Sequence, residues 1–261
     1  MIKGLDKFRA HFAKHQGAFV LIGGVACHEW LASQGLQFRA TRDIDIVLII
    51  EALSQAFVAR FWEFVEAAKY TIREKATGGR ELFRFSKPED ETYPAMLEIF
   101  SRKPEGIELG AGQHIVPVQI AEISLSLSAI LLDDAYYTLI REYHHQDADL
   151  PFVNPVALIP LKARAWLNLT ERQKKGEKVD ERDLAKHRSD VFRIAAALPG
   201  EPGPHLPNTV QADLEAFLAA FPADGPEWPA ILNSLKVTTF PNINLKPDDL
   251  VNSIRTYFRV R

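Results

Sequence analysis

The amino-acid sequence predicts an α/β protein in which a mixed β-sheet is flanked by helices and followed by a helical C-terminal half. In the first 150 residues, short segments rich in β-branched residues, or alternating between apolar and polar residues, are interspersed with helical patterns. This arrangement is typical of a sheet covered by helices. From residue 155 onward, apolar residues recur mainly at helical spacing. With 261 residues, 47% of them hydrophobic, the chain is long enough to bury a substantial core.

The first half contains the predicted sheet. Its third helix carries Phe57, Phe61, Phe64 and Val65 on one side, which predicts a buried apolar face. Gly35 follows the second helix at the position where glycine commonly ends a helix. The predicted strands cover residues 18–22, 44–50, 70–73, 81–85, 96–100, 114–120 and 123–127, and the predicted helices cover residues 5–14, 25–34, 53–68 and 133–143.

The second half is predicted to be helical. A segment rich in proline and glycine, residues 198–204, predicts a linker. The chain is therefore expected to consist of a core of residues 1–150, a helical part of residues 151–198 and a C-terminal helical extension of residues 205–261. The predicted helices of this half cover residues 158–172, 181–197, 210–221 and 247–258.

Composition and charge indicate a cytoplasmic protein. The formal net charge of -3 provides no global basic field that would call for nucleic acid. Cys27 is the single cysteine, so the chain cannot form an internal disulfide, and a reducing compartment is expected. The N-terminal segment is charged and lacks the apolar region of a signal peptide, and no apolar run reaches the roughly 20 residues that span a bilayer. No association with a membrane is expected.

Two aspartates, Asp43 and Asp45, carry the strongest chemical signal. Side chains at positions i and i+2 of a strand point to the same face, so the two carboxylates are expected side by side. Like charges at that spacing repel each other, and burial increases the repulsion. A divalent cation offsets it, and Mg²⁺ favours a few carboxylate oxygens together with substrate phosphates. The pair therefore predicts a metal site.

A glycine pair and a third acid support this interpretation. Gly23 and Gly24 lie between a predicted strand and a helix, where backbone can approach a phosphate closely and helix amides face an anion. Glu98 lies in an otherwise apolar predicted strand, where an acid needs a partner or an exposed face. If that strand neighbours the strand of Asp43, Glu98 can ligate the metal or act as a general base. A phosphate site beside a metal site is the expected result.

The order of these segments resembles the nucleotidyltransferase superfamily. Within it, the chain is similar to the AbiEii/AbiGii group, the toxins of bacterial toxin–antitoxin and abortive-infection systems. The resemblance covers about residues 17–196 and depends on four segments in order. These are the glycine pair at residues 23–24, RATRDID at residues 39–45, LIPLKARAW at residues 158–166 and KHRSDV at residues 186–191.

The resemblance implies transfer of a nucleoside monophosphate from a nucleoside triphosphate to an acceptor hydroxyl, with pyrophosphate leaving. It implies dependence on Mg²⁺, with Mn²⁺ as a possible substitute. It also implies that residues 1–150 form the catalytic core and that the helical part, residues 151–198, completes the nucleotide site. The implied partners are a nucleoside triphosphate, tRNA or another RNA, and a cognate antitoxin. The implied catalytic and metal-binding residues are Asp43, Asp45 and Glu98, and the implied nucleotide-binding residues are Gly23, Gly24, Thr41, Arg42, Lys162, Lys186, His187 and Asp190.

Two positions depart from the family pattern. Val25 stands where the family usually has Ser or Thr, and His187 stands where many members have an acid. Both departures leave the metal site intact, but they affect how tightly a nucleotide is expected to bind or which nucleotide is selected. Lys162 matches the family lysine that is expected to meet the triphosphate.

The sequence leaves the acceptor open. Transfer to a protein or a small molecule is one alternative, and a non-catalytic module that senses nucleotides or binds a partner is another. The intact acids argue against the non-catalytic module, because a degenerate site is free to lose such costly charges. An RNA acceptor would be favoured by a local basic stretch, which comprises Arg164, Arg172, Lys174, Lys175 and Lys178.

Overall fold

The chain forms two compact units in a computed structural model that describes residues 2–74, 80–103, 115–118, 127–145 and 149–260. Unit 1 comprises Met1–Ala26 and Ala40–Val153, and unit 2 comprises Cys27–Arg39 and Asn154–Arg261. The segment Cys27–Arg39 therefore belongs with the C-terminal half, although it lies within the first 40 residues.

Unit 1 is built on a mixed β-sheet. The central strands are β1 (Phe19–Ile22), β2 (Asp43–Leu48) and β5 (Met96–Ser101), with β1 antiparallel to β2 and β2 parallel to β5. The other strands are β3 (Thr71–Glu74), β4 (Arg80–Ser86), β6 (Ile115–Val118), β7 (Leu127–Leu131), β8 (His144–His145) and β9 (Phe152–Val153). Seven of the nine described strands run in the order β3-β4-β5-β2-β1-β9-β8. The other two lie off this path: β7 pairs with both β5 and β6.

Aromatic side chains hold the helices of unit 1 against this sheet. The helices are α1 (Leu5–Phe12), the start of α2 (Gly23–Ser33), α3 (Gln55–Ala68) and α4 (Asp134–Glu142). The rings of Phe8 on α1 and Phe19 on β1 meet edge to face at 5.5 Å, and those of Phe61 on α3 and Phe85 on β4 at 5.6 Å. The predicted buried face of α3 is confirmed, because Phe57, Phe61, Phe64 and Val65 are all buried.

Unit 2 is helical. It contains α5 (Pro155–Lys174), α6 (Glu181–Ala195), α7 (Asn208–Ala219), α8 (Trp228–Thr238) and α9 (Pro247–Phe258). The Asn154 side chain caps α5 by accepting a hydrogen bond from Val156 N, and the Asp180 side chain caps α6 in the same way. A second aromatic cluster joins the helices: the ring of Phe192 lies 4.6 Å from Trp228 and 5.7 Å from Phe217.

The predicted fold class, a mixed sheet flanked by helices with a helical second half, is confirmed. Among the described strands and α-helices, three had no counterpart in the predictions: β8, β9 and α8. Of the strands predicted at residues 114–120 and 123–127, residues 114 and 119–126 lie outside the described residues, and β7 continues to Leu131. The predicted linker, residues 198–204, joins α6 to α7 inside unit 2, where Gly203 N donates to Tyr257 O on α9. The predicted division of the chain at residues 150 and 198 stays a prediction.

Within the described part of the chain, no helix combines the length and the apolar composition needed to cross a membrane.

Candidate functional site

The alternation of β2 places its two aspartates on one face of the sheet. Ile44 and Ile46 are fully buried. Asp43, which precedes Ile44, and Asp45, which lies between the two isoleucines, are partly exposed. The same alternation holds on β5, where Leu97 is buried and Glu98 is partly exposed. This pattern follows from the two-residue period of a strand, which sends the apolar side chains to the core and the acids to the opposite face.

The register of the sheet aligns these acids across neighbouring strands. Asp45 lies opposite Glu98 on the parallel strand β5, and Ile22, the last residue of β1, lies opposite Asp45 on its other side. On the far side of β5, Glu98 lies opposite Arg84 on β4. We refer to Asp45, Glu98 and Arg84 as the charged row. The expected adjacency of the Glu98 strand to the aspartate strand is therefore observed.

The glycine pair makes room for this site. Helix α2 begins at Gly23, directly after β1 and two residues earlier than predicted. Gly23 has a φ of +65°, and a Cβ there would overlap the Asp45 carboxylate, while a Cβ on Gly24 would overlap the Thr41 hydroxyl. The absence of side chains thus lets the aspartate and the threonine pack against the start of a helix. The helix amides at this end favour an anion.

Glu98 is held by an arginine. Arg84 Nε donates to Glu98 Oε1 at 2.6 Å, and Arg84 Nη2 donates to the same oxygen. Both guanidinium nitrogens converge on one carboxylate oxygen, and no other described residue hydrogen-bonds to the Glu98 side chain. The Glu98 side chain is 14% exposed and that of Arg84 42%. A charge-assisted pair of this kind satisfies an acid in an otherwise apolar strand.

A divalent cation fits the two aspartates better than it fits all three acids. Among the described residues, no group of three or more His, Cys, Asp and Glu side chains is arranged to hold a metal ion. The donor set of Asp43 and Asp45 consists of hard oxygens on one face, which suits Mg²⁺, an ion usually held by one or two carboxylates plus substrate phosphates. Glu98, the third predicted ligand, has one oxygen engaged by Arg84.

The remaining predicted residues of unit 1 surround the glycine turn. Thr41 lies against Gly24, and Arg42 is exposed, with its carbonyl accepting a hydrogen bond from Ala95 N at 2.9 Å. Val25 is fully buried in the first turns of α2. Since its side chain belongs to the core, this position supplies neither a hydroxyl nor any exposed group.

Two of the predicted nucleotide-binding residues of unit 2, Lys162 and Asp190, belong to a buried ion cluster centred on Asp190. Asp190 is fully buried on α6, and Arg39 bonds both of its oxygens, with Nε–Oδ1 at 3.0 Å and Nη2–Oδ2 at 2.6 Å. Arg193 Nη1 donates to Oδ1 at 2.6 Å, and Lys162 Nζ lies 3.3 Å from Oδ2. Burial raises the pKa of Asp190, but Lys162 and Arg39 outweigh it and lower the pKa to about 2. The carboxylate therefore stays ionised.

Lys162, Lys186 and His187 have different environments within unit 2. Lys162 is only 4% exposed, while Lys186 is partly exposed and pairs with Asp183 at 3.4 Å. Burial, followed by the charge of Lys162, lowers the pKa of His187 to about 3, although Asp190 opposes the shift. His187 is therefore neutral near pH 7. Its Nδ1 atom is buried and has no hydrogen-bond partner among the described residues.

Three of the five cations in the local basic stretch, which begins on α5 and continues past its end, pair with acids. Arg164 contacts Asp213 at 2.8 Å, Arg172 contacts Glu177 at 2.7 Å, and Lys175 contacts Glu171 at 2.7 Å. These pairs lie at the surface, so each partner reduces the positive field that the stretch presents to a polyanion.

Three residues of these clusters had no role in the sequence-based predictions. Arg84 neutralises Glu98, and Arg39 and Arg193 neutralise Asp190. Arg193 was detectable in principle, because it follows Asp190 by three residues on one helix. Arg39 stands in the quoted motif, but its partner lies 151 residues away. The pairing of Arg84 with Glu98 could not be predicted without the register between β4 and β5.

Comparison with protein families identifies the chain. A family model described as nucleotidyl transferase AbiEii toxin, type IV TA system, matches residues 8–255, a longer part of the chain than the four motif segments cover. No curated protein and no solved structure matches the chain. The family model covers nearly all 261 residues, including both compact units. The chain therefore belongs to the AbiEii family of nucleotidyltransferase toxins of type IV toxin–antitoxin systems.

Proposed function

We propose that the protein is a Mg²⁺-dependent nucleotidyltransferase that moves a nucleoside monophosphate from a nucleoside triphosphate to a hydroxyl of an RNA acceptor, such as tRNA. The observation that carries the proposal is the register that sets Asp45 beside Glu98 on the partly exposed face, next to the glycine turn. The two aspartates, the third acid and the N-terminus of the helix that follows β1 could together bind a cation, accept a proton and bind a phosphate. Phosphoryl transfer requires these three functions.

In this proposal, Asp43 and Asp45 hold the cation and Gly23 and Gly24 admit a phosphate to the start of α2. A bound Mg²⁺ would supply charge neutralisation to the phosphate oxygens and orient them. Glu98 accepts the proton of the acceptor hydroxyl, which raises the nucleophilicity of that oxygen. Mn²⁺ would substitute because it accepts the same oxygen ligands.

The proposed partners include a nucleoside triphosphate and, in keeping with the family, a cognate antitoxin. A protein or small-molecule acceptor is the second candidate. It is favoured by the acids that pair with Arg164, Arg172 and Lys175, because a surface with few unpaired cations attracts RNA weakly. In unit 2, Lys162 and Asp190 are proposed to act as a fixed charge pair, with Lys162 as the cation that the family resemblance assigns to the triphosphate.

The proposal is tested by incubating the protein with each labelled nucleoside triphosphate, Mg²⁺ and total RNA. Asp45→Asn keeps the size of the side chain and removes its charge, and Asp6→Asn makes the same change at a side chain that is 71% exposed on α1. Label in RNA with the wild type and Asp6→Asn, and none with Asp45→Asn, is expected. Label in added protein or small molecules instead would establish the second candidate.

A wild-type protein that binds the nucleotide with Mg²⁺ but labels no acceptor would contradict catalysis. That result would support the non-catalytic module that binds nucleotides or a partner.

A further inference from the structure

Arg84 is the one member of the charged row that neither the predicted site nor the proposed function uses. It lies on β4, two strands away from Asp45, and its register partner is Glu98. Its side chain is less buried than that of Glu98, at 42% against 14% exposed. An exposed arginine that reaches inward to a more buried acid suggests a function for the pair, because surface ion pairs contribute little to stability.

The atoms of the pair show how Arg84 holds Glu98. Two nitrogens of one guanidinium, Nε and Nη2, both donate to Oε1. Arginine–carboxylate pairs commonly use two parallel bonds to both oxygens. Here one oxygen receives both donors, and no described residue donates to Oε2. The carboxylate is therefore fixed in orientation through Oε1, and Oε2 has no donor among the described residues.

We propose that Arg84 is a positioning residue that anchors Glu98 by Oε1, keeps it outside the coordination sphere of the cation and leaves Oε2 for the acceptor hydroxyl. Asp43 and Asp45 alone then bind the cation, in agreement with the absence of any three-residue ligand group among the described residues. This inference depends on the proposed function for its catalytic part, but its cation-binding part does not.

Arg84 serves the proton transfer that accompanies attack of the acceptor hydroxyl on the α-phosphorus. The acceptor oxygen forms a bond to the α-phosphorus while the bond from that phosphorus to the pyrophosphate oxygen breaks. The hydroxyl proton passes to Glu98 Oε2, and the pyrophosphate leaves with the bonding electron pair. The guanidinium of Arg84 keeps its proton throughout, because arginine is not deprotonated in proteins.

The first arm of the test measures the Kd for Mn²⁺ in the absence of nucleotide, by a titration that is monitored with electron paramagnetic resonance. Arg84→Gln removes a positive charge and releases Glu98, so the Kd for Mn²⁺ is expected to fall by roughly 3- to 10-fold. In the double variant Arg84→Gln/Glu98→Gln, both charges are gone, and the Kd is expected to return to within about twofold of the wild-type value. Unchanged or weaker Mn²⁺ binding by Arg84→Gln would overturn the proposal.

The matched control is Arg60→Gln. Arg60 is also 42% exposed and pairs with an acid of the same unit, Glu63, at 2.7 Å, but it lies on α3 and outside the charged row. Its replacement is expected to leave Mn²⁺ binding and transfer unchanged. Thermal unfolding of each variant identifies any loss of folded protein, and a general loss of structure would lower Mn²⁺ affinity rather than raise it.

The second arm measures transfer. Arg84→Gln is expected to lower kcat roughly 10- to 100-fold with the KM for the nucleotide within about threefold, because a loosely held base loses part of the contribution of a general base. Arg84→Lys, which restores one donor and the charge, is expected to recover part of kcat. Wild-type kcat in Arg84→Gln would overturn the positioning role.

The two arms separate the two failures. If the wild type labels no acceptor but the Mn²⁺ pattern holds, the proposed function fails and the anchoring of Glu98 by Arg84 stands. If the wild type transfers nucleotide but the Mn²⁺ pattern is absent, the proposed function stands and this inference fails.

Discussion

At the scale of single residues, Gly23 meets two constraints that no other amino acid satisfies. Its φ of +65° lies in the left-handed region, and the space beside its Cα is taken by the Asp45 carboxylate. The two adjacent glycines between a strand and a helix predicted a phosphate site from sequence, whereas the structure shows that Gly23 also packs against Asp45, a proposed cation ligand. The position of the acid and the conformation of the turn are therefore coupled.

Gly23→Ala tests this coupling. The left-handed conformation alone costs a residue with a Cβ about 1–2 kcal/mol, and the overlap with Asp45 adds to it and displaces the carboxylate. Urea unfolding is expected to show a loss above that range, and Mn²⁺ binding is expected to weaken. Gly35→Ala is the control, because Gly35 has a φ of +72° but no neighbour near its Cα. Equal losses for both variants with unaltered Mn²⁺ binding would disprove the coupling.

His187 is a second residue whose environment makes a measurable prediction. Lys162, Lys186 and Arg39 disfavour its protonation, and Asp190 favours it, with burial as the largest cause of the low pKa. Because the folded pKa of about 3 is below the unfolded value of 6.5, an unfolded chain takes up the proton first on acidification. The stability linked to His187 is therefore complete above pH 6.5 and is lost as the pH falls toward 3.

The free energy of unfolding of the wild type is thus expected to fall by at most about 1.4 kcal/mol per pH unit from this residue below pH 6.5. His187→Gln lacks this dependence. The measurement is urea unfolding of both proteins between pH 8 and pH 5, where few carboxylates titrate. Parallel curves for the two proteins across this window would show that His187 protonates as readily in the folded chain.

At the scale of elements, the strongly periodic segments were predictable and the short or strongly tertiary ones were not. Helix α9 was predicted with the bounds that the structure has, because its apolar residues recur along one face. Strands β8 and β9 have two residues each, too few to show a period, and depend on pairing with each other and with β1. The Arg84–Glu98 pair follows from the register of β4 with β5, a non-local property that local patterns do not encode.

Helix α6 illustrates how one element depends on a buried charge. Asp190 is the acceptor for three cations, Arg39, Lys162 and Arg193, so its removal leaves uncompensated positive charge in the interior of unit 2. Asp190→Ala is expected to lower the free energy of unfolding by about 3–5 kcal/mol, measured in urea at pH 7. The control, Glu171→Ala on α5, removes an acid from an exposed pair with Lys175 and is expected to leave the unfolding midpoint unchanged.

A small effect of Asp190→Ala would mean that solvent or rearranged side chains neutralise the cluster. The predicted nucleotide contact of Asp190 would then be examined by nucleotide binding at a temperature where the variant is folded. Weaker binding by a folded variant would support a direct role of the cluster in nucleotide recognition.

At the scale of the whole molecule, the two units do not correspond to a single cut of the chain, because each unit contains two separate segments. The segment Cys27–Arg39 lies in the N-terminal half but belongs to unit 2. In the full chain it buries Cys27 and Leu31 completely, and Arg39 pairs with Asp190 of α6. A sequence pattern read in windows assigns each residue to its neighbours in the chain, so it could not assign this segment to the helices that follow residue 154.

A fragment of residues 1–153 tests this organisation. It contains the whole sheet and the charged row but lacks the part of unit 2 that surrounds residues 27–39. Leu31 would then be exposed at a cost of about 1.5–3 kcal/mol, and Arg39 would lose its acid. The fragment is therefore expected to bind a hydrophobic dye and to unfold without a cooperative transition, whereas the full chain unfolds cooperatively. Cooperative unfolding and Mn²⁺ binding by the fragment at full-chain affinity would instead show that residues 1–153 fold and bind the cation without the C-terminal half.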